Sequence, residues 1–347
     1  MNFLKLIKNF ALGAFALAFS SVALAQDEES SGPSFSVSGS VDTYFRTNLS
    51  GGTNDASDTL GTLAPGTSFA NNPGFSLGMA NMIISYEGEK VGFVADLVFG
   101  PRGTDAVFAS PAPWNTVNQL YAYINVTDNF KLTLGNFNTF LGYEVISPVA
   151  NFNYSTSYMF SYGPFSHTGL KADFSIGEHW NLVAAIMNPT DATDYNPSND
   201  YVGGFQLGYS GAAGSAYLNA MVSEDFYQLD LTTGWDLSES FYLGFNATTQ
   251  TNFNAAAFYL QGALSDAFAL GVRAEYYSTT EDSAGGYGIA AEENVFNLTL
   301  SGPITVGSLK IIPEIRLDAL SYDGYTDADG AEGSSLSSFV LAAVYSF

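Results

Sequence analysis

Leu309-Lys310-Ile311-Ile312-Pro313-Glu314-Ile315-Arg316-Leu317-Asp318-Ala319 places apolar Leu309, Ile311, Ile315, Leu317 and Ala319 on one phase of a two-residue period. Lys310, Glu314, Arg316 and Asp318 occupy the other phase. Successive side chains of a strand point to opposite faces, so one face of this segment suits hydrocarbon and the other suits water. Phe35, Val37, Val41 and Phe45 alternate in the same way with Ser36, Ser38, Ser40, Asp42 and Tyr44. The last strand sets Phe339, Leu341, Ala343, Tyr345 and Phe347 on one side. Pro313 is the departure, since it falls mid-run on the apolar phase and forfeits a ladder hydrogen bond. A bulge there would flip the inward assignments on one side of it.

Working outward from these runs, tight turns recur at Glu87 to Lys90, Thr127 to Asn129, Gly177 to Trp180, Gly211 to Gly214, Asp236 to Glu239, Ser265 to Ala267, and Val306 to Gly307. Longer segments hold the boundaries between them: 48 to 73, 100 to 115, 144 to 163, 189 to 199, 279 to 292 and 322 to 336, with short exceptions near 224 to 226 and 252 to 254. About sixteen strands with short turns at one end and long loops at the other is the asymmetry of an outer-membrane barrel. The fold class is therefore all-β, a transmembrane antiparallel β-barrel of about 16 strands with both termini on the short-turn side. A secreted β-sandwich or β-solenoid also alternates, but has no use for aromatic bands or so regular a rhythm. Phe45, Phe75, Tyr86, Phe99, Phe130, Phe140, Phe174, Phe241 and Phe268 lie near run ends, where interfacial girdles are expected.

Composition narrows the class. The 347 residues carry 34 acids and 10 bases, a formal net charge of -24, which argues against a nucleic-acid partner. Mean hydropathy of +0.09 with 15% aromatics is too apolar for a disordered acidic chain. No cysteine is present, so there is no disulfide framework and no thiolate chemistry. Lys5 and Lys8 precede an apolar run to about Leu24, and Ala23-Leu24-Ala25 gives a small-x-small cleavage pattern. Residues 1–25 read as a cleaved signal peptide, 26–33 as a periplasmic leader, and 34–347 as a single barrel domain. After the signal, no stretch approaches the roughly 18 to 20 apolar residues that a spanning helix needs.

Gly135-Asn136-Phe137-Asn138-Thr139-Phe140-Leu141-Gly142-Tyr143-Glu144, Asn153-Tyr154-Ser155 and Gly163-Pro164-Phe165-Ser166-His167-Thr168-Gly169 resemble the OmpL-like, β-barrel porin type-two family. The resemblance is specific over about residues 117 to 190 and rests on barrel rhythm elsewhere. It implies an outer-membrane porin for small hydrophilic solutes. The ending Val344-Tyr345-Ser346-Phe347 resembles the C-terminal strand of bacterial outer-membrane proteins, whose terminal aromatic is read by the barrel-assembly machinery. Outer-membrane lipid and lipopolysaccharide are the other expected partners, and the short connections near 224 and 252 mark a side on which subunits of a homotrimer would meet.

A ring of about sixteen strands is too wide for its own side chains to fill, so something else must narrow it. The segment from Tyr143 to Tyr162, an arrangement similar to the third loop of trimeric porins, is expected to fold inward. Lumen charges are expected at Arg46, Lys171, Arg273, Glu275, Lys310, Glu314, Arg316 and Asp318, with Glu144, Asn153 and Tyr154 on the loop. A charged side chain on the lipid face would cost about 2 to 4 kcal/mol, which favours placing these inward. Arg46, Arg273, Lys310 and Arg316 should share one wall with Glu275, Glu314, Asp318 and Asp42, facing the loop from across the lumen and setting up a transverse field. The bland alternative is that these charges pair with one another and stiffen the wall.

Acids in the long loops (Asp55, Asp58, Asp191, Asp194, Asp200, Glu281, Asp282, Glu292 and Glu293) should make the external mouth negative. Asp327 and Asp329 hint at a Ca²⁺ loop, but the glycine is misplaced for an EF-hand pattern and a solvated acidic loop is the simpler reading. No cofactor is expected. Ser166 and His167 are adjacent in a strand and point to opposite faces, so they form no dyad, and no nucleophile elbow or dinucleotide fingerprint appears. The chain is read as no enzyme. Two classes stay open: a passive diffusion channel, and a barrel acting as scaffold, surface receptor or adhesin.

Overall fold

The computed structural model describes residues 33–347; the expected signal peptide and the leader up to its last residue lie outside the described residues. The strands are β1 (Ser34–Ser50), β2 (Gly74–Glu87), β3 (Val91–Phe99), β4 (Val117–Thr127), β5 (Phe130–Asn138), β6 (Ser166–Ile176), β7 (Trp180–Met187) and β8 (Val202–Gly211). They continue as β9 (Gly214–Val222), β10 (Tyr227–Asp236), β11 (Phe241–Gln250), β12 (Phe253–Ser265) and β13 (Phe268–Thr279). After these come β14 in two pieces (Asn294–Ser301 and Ile304–Val306), β15 (Leu309–Leu320) and β16 (Ser335–Ser346). Two short helices, α1 (Pro101–Ala106) and α2 (Tyr158–Ser161), lie in the connections.

Each strand pairs antiparallel with the next, and β16 returns to β1 from Ser40↔Ser346 to Ser50↔Ser337, which closes the ring. Closure pairs the backbone of every strand on both edges, the condition for crossing a bilayer without an open edge. Turns of a few residues (88–90, 128–129, 177–179, 212–213, 237–240, 266–267 and 307–308) face loops at 51–73, 100–116, 139–165, 188–201, 223–226, 251–252, 280–293 and 321–334.

Alternation decides the two faces. On β15, Ile315 and Leu317 are 50% and 39% exposed, whereas Glu314, Arg316 and Asp318 are 1%, 2% and 0% exposed. Pro313 does not shift the register: Ser301↔Glu314 before the break in β14 and Ile304↔Ile311 after it keep the same offset. Pairing of Pro313 with Leu341 on the other side is likewise unshifted. The proline's missing donor falls where β14 is interrupted at Gly302 and Pro303, and its carbonyl still accepts the Gly302 N–H at 2.9 Å. Two ladder-breaking residues placed opposite each other confine the defect to one point.

Outward aromatics pair across strands, with Phe130 and Phe174 stacked at 4.4 Å and Phe45 against Phe75 at 5.0 Å. Phe140 is the exception to the expected girdle, because it lies past the end of β5 with its ring 5.4 Å from His167. Leu298, mid-strand on the outward face of β14, should tolerate apolar exchange only. Leu298→Arg is expected to lower the unfolding free energy in lipid by about 2 to 4 kcal/mol, read from urea titrations in vesicles.

Candidate functional site

Five neighbouring strands, β13 to β16 and β1, build one charged wall in strict register. Arg273, Thr299 and Arg316 form one cross-strand row, and Glu275, Asn297 and Asp318 form the next. Gly271, Ser301 and Glu314 form the row below. Placing Thr299 between the two arginines keeps like charges apart, and opposite charges meet one pleat away. Arg316 thus bonds Asp318 through Nε and Nη2, each at 2.8 Å. Asn297 bridges the rows, donating to Asp318 at 2.9 Å and accepting from Arg273 at 3.3 Å.

The expected separation of this wall from the third loop does not occur: the loop, residues 139–165, is bonded directly to it. Glu314 accepts the N–H groups of Tyr154 and Ser155 at 2.8 and 3.1 Å. Glu275 accepts those of Tyr158 and Met159 at 3.0 and 2.7 Å. Arg273 donates to the Ser155 carbonyl at 2.7 Å and pairs with Glu144 at 2.5 Å. Arg316 donates to the Thr156 carbonyl at 2.8 Å. Glu144 also accepts from the Ser157 N–H and hydroxyl at 2.8 and 2.6 Å. An irregular buried segment leaves amides and carbonyls that neither helix nor sheet can satisfy, and here carboxylates take the donors while guanidiniums supply the acceptors' partners.

The other predicted residues sort by place. Asn153 donates to Ser301 at 2.7 Å, and the Tyr154 hydroxyl to Asp42 at 2.5 Å. Lys310 reaches the Val149 carbonyl at 3.4 Å. Arg46 serves a different segment, donating to the Leu63 carbonyl at 2.6 Å and to Asn48 at 2.8 Å. Lys171 stands apart on β6, 3.1 Å from Asp173. Asp191 departs from the solvated mouth expected of it: it is buried and accepts the Phe165 and Ser166 N–H groups at 2.9 and 2.8 Å, where the third loop re-enters β6. Burial raises its carboxyl to about 7. His167 bonds Thr139 at 2.9 Å. Asp327 accepts the N–H groups of Asp329 and Ala331, closing its own turn, and among the described residues no group of three His, Asp or Glu is placed to hold a metal.

Several contributors escaped the sequence reading. Asp230 and Asn246, on β10 and β11, accept the N–H groups of Gly142 and Tyr143, both at 3.1 Å. Inward glycines receive the loop's rings: a Cβ on Gly271 would lie 2.4 Å from Phe152, and one on Gly244 2.6 Å from Tyr143. Tyr143 also stacks on Tyr259 at 3.9 Å. The available signal was a glycine on the inward phase of a strand, where nothing in the strand itself calls for one.

Glu314→Ala should leave the barrel closed but strand three buried donors, the Tyr154 and Ser155 N–H groups and the Ser301 hydroxyl, each worth about 1 to 3 kcal/mol. Limited proteolysis of the folded variant should cut within 145–160, where the parent resists. For Asp191 the folded carboxyl holds its proton from about pH 4, where an unfolded aspartate releases it, up to about 7. Its contribution to stability is therefore greatest below about pH 4 and falls as pH rises to about 7. Asp191→Asn should abolish that fall and unfold at higher urea than the parent at pH 8.

The chain matches the family described as "Putative beta-barrel porin-2, OmpL-like" over residues 34–347. No curated protein matches it. Among solved structures, in-vitro folded OmpT, an outer membrane protein of Vibrio cholerae, has a TM-score of 0.58 at 12% identity, covering 93% of this chain and all of that one. An anion-selective porin from Comamonas acidovorans has a TM-score of 0.58 at 10% identity, covering 91% and 100%. A mutant of the Rh. blastica porin has a TM-score of 0.55 at 13% identity, covering 90% and 100%. These likenesses carry the barrel fold, and the family match over the whole described barrel carries the assignment: this chain belongs to the OmpL-like β-barrel porin-2 family of the outer membrane.

Proposed function

We propose that this protein is a diffusion porin for small hydrophilic solutes, in which residues 139–165 lie across the lumen as its constriction. The carrying observation is the span of the loop's anchors. β5, from which the loop departs, and β13, which supplies Arg273 and Glu275, are eight strands apart in a ring of sixteen and therefore opposite. The intermediate anchors Asp230 and Asn246 lie between them. All of these anchors sit on the face away from the exposed apolar residues. Sixteen strands leave space that side chains alone cannot fill, which is what such a loop would narrow.

The charged wall is largely sealed by the loop, so its arginines act as anchors rather than as a field for passing solutes. On the opposite side Lys171 and Asp173 are each 22% exposed on β6, with the part-exposed Lys131 on β5 over the Tyr123 ring at 4.8 Å. Solutes pass along this side, and its two lysines set the ion preference. Catalysis has no part in this reading, and trimer assembly, lipopolysaccharide contact and recognition of Phe347 during barrel assembly belong to it as proposals.

Deleting 148–158 should raise single-channel conductance in planar lipid, and liposome swelling should then admit larger sugars. Lys131→Ala with Lys171→Ala should move the reversal potential in a salt gradient toward cations. Absence of any size-dependent swelling by the parent protein would favour a scaffold or receptor barrel instead.

A further inference from the structure

Charged groups hold the later part of the third loop to the wall, but its first residues are held differently. Asp230 and Asn246 take the N–H groups of Gly142 and Tyr143. Just before them, Phe140 and Leu141 meet the inner face of β7 to β9 in one apolar cluster. Phe137, Leu141, Met187, Val202 and Met221 are buried together there, and the half-buried Phe140 and Phe226 pack against them. Gln206 makes the polar tie to this stretch, donating to the Phe140 carbonyl at 2.9 Å. Gly204 leaves the room for it: a Cβ at that position would lie 2.7 Å from the Met187 methyl and 2.8 Å from the Phe140 ring.

This cluster stands at the outer end of the side on which Lys171 lies. Lys171 is 22% exposed, and its ammonium is 5.3 Å from the centre of the Phe137 ring. One pleat further out, Gly169 pairs with Met187 and Met187 with Val202. Leu141 from the loop and Met187, Val202 and Met221 from the wall are 4%, 1%, 4% and 1% exposed, so at that point loop and wall leave no room for water between them. Water would find no hydrogen bond in such a contact. Dispersion among flexible thioethers and rings also yields more readily than the buried ion pairs that hold the loop elsewhere. We propose that the contact of Phe140 and Leu141 with Met187, Val202 and Met221 is a hydrophobic gate, which bars hydrated ions when closed and parts to admit a solute. The gate rests on the reading of residues 139–165 as a porin constriction and names where that constriction opens.

Single-channel recording of the full protein in planar lipid tests this. The parent should switch between open and closed levels. Met221→Gln, close in size, and Val202→Thr, close in shape, each bury a polar group without a partner in the closed contact and wet it in the open one. Each should raise the ratio of open to closed time about tenfold. Met221→Leu keeps the contact apolar and should leave that ratio as in the parent. Heat-modifiable gel mobility shows that each variant retains its barrel. Steady current through the parent without closed periods, a ratio in both polar variants equal to the parent's, or an equal rise in Met221→Leu would overturn the gate and leave the porin reading standing. No current through the parent, the polar variants or the 148–158 deletion would overturn both.

Discussion

Backbone polar groups placed where water cannot reach them must find partners inside the protein, and that requirement organises this molecule twice. At the depth of the acyl chains it is met by closing the ladder, with β16 paired back to β1. It recurs for residues 139–165, which are largely buried and have little regular structure to use their own amides and carbonyls. Glu314, Glu275, Arg273 and Arg316 answer that second demand, each bonded to backbone atoms of the loop. Charged side chains are suited to this because one carboxylate takes two adjacent N–H groups and one guanidinium can serve a carbonyl and an acid together.

The charges on the wall therefore have a structural use that alternation alone does not reveal. Both readings offered by the sequence placed them inward, either as a field for solutes or as pairs stiffening the wall. Arg316–Asp318 fits the second reading, yet Arg273 pairs with an acid of the loop rather than of the wall. Removing either partner of such a buried pair leaves an uncompensated charge, a loss of about 3 to 5 kcal/mol, so the loop is held by a few strong points rather than by many weak ones. Between those points the contact is made by rings on glycines, as with Phe152 at Gly271 and Tyr143 at Gly244. Rigid rings seated on bare backbone define position at little entropic expense.

Much of the fold was legible because its rules are local. A two-residue period and turn chemistry located all seven turns and the loops opposite them, with boundaries off by a few residues. The inward phase of Arg46, Lys171, Arg273, Lys310 and Arg316 followed from the same period. Pro313 could not be resolved that way, because whether it shifts the register depends on Gly302 and Pro303 in the neighbouring strand. The candidate site was legible as a set of residues but not as an arrangement: Asp191 read as a solvated loop acid and is buried under the re-entry of the third loop. Asp230 and Asn246 looked like any other inward polar residues.

By itself the sequence determined a barrel with one face for lipid and one for water, because side-chain direction in a strand is fixed by parity and needs no knowledge of what lies elsewhere in the chain. Only the tertiary structure decided which inward groups meet the third loop, which meet each other, and that Arg102 lies against the Phe69 and Tyr154 rings with one nitrogen unpaired among the described residues. Those contacts join residues far apart in the chain, 160 positions in the case of Tyr154 and Glu314. They depend on where ring closure and loop path bring the chain in space, and no local pattern encodes that.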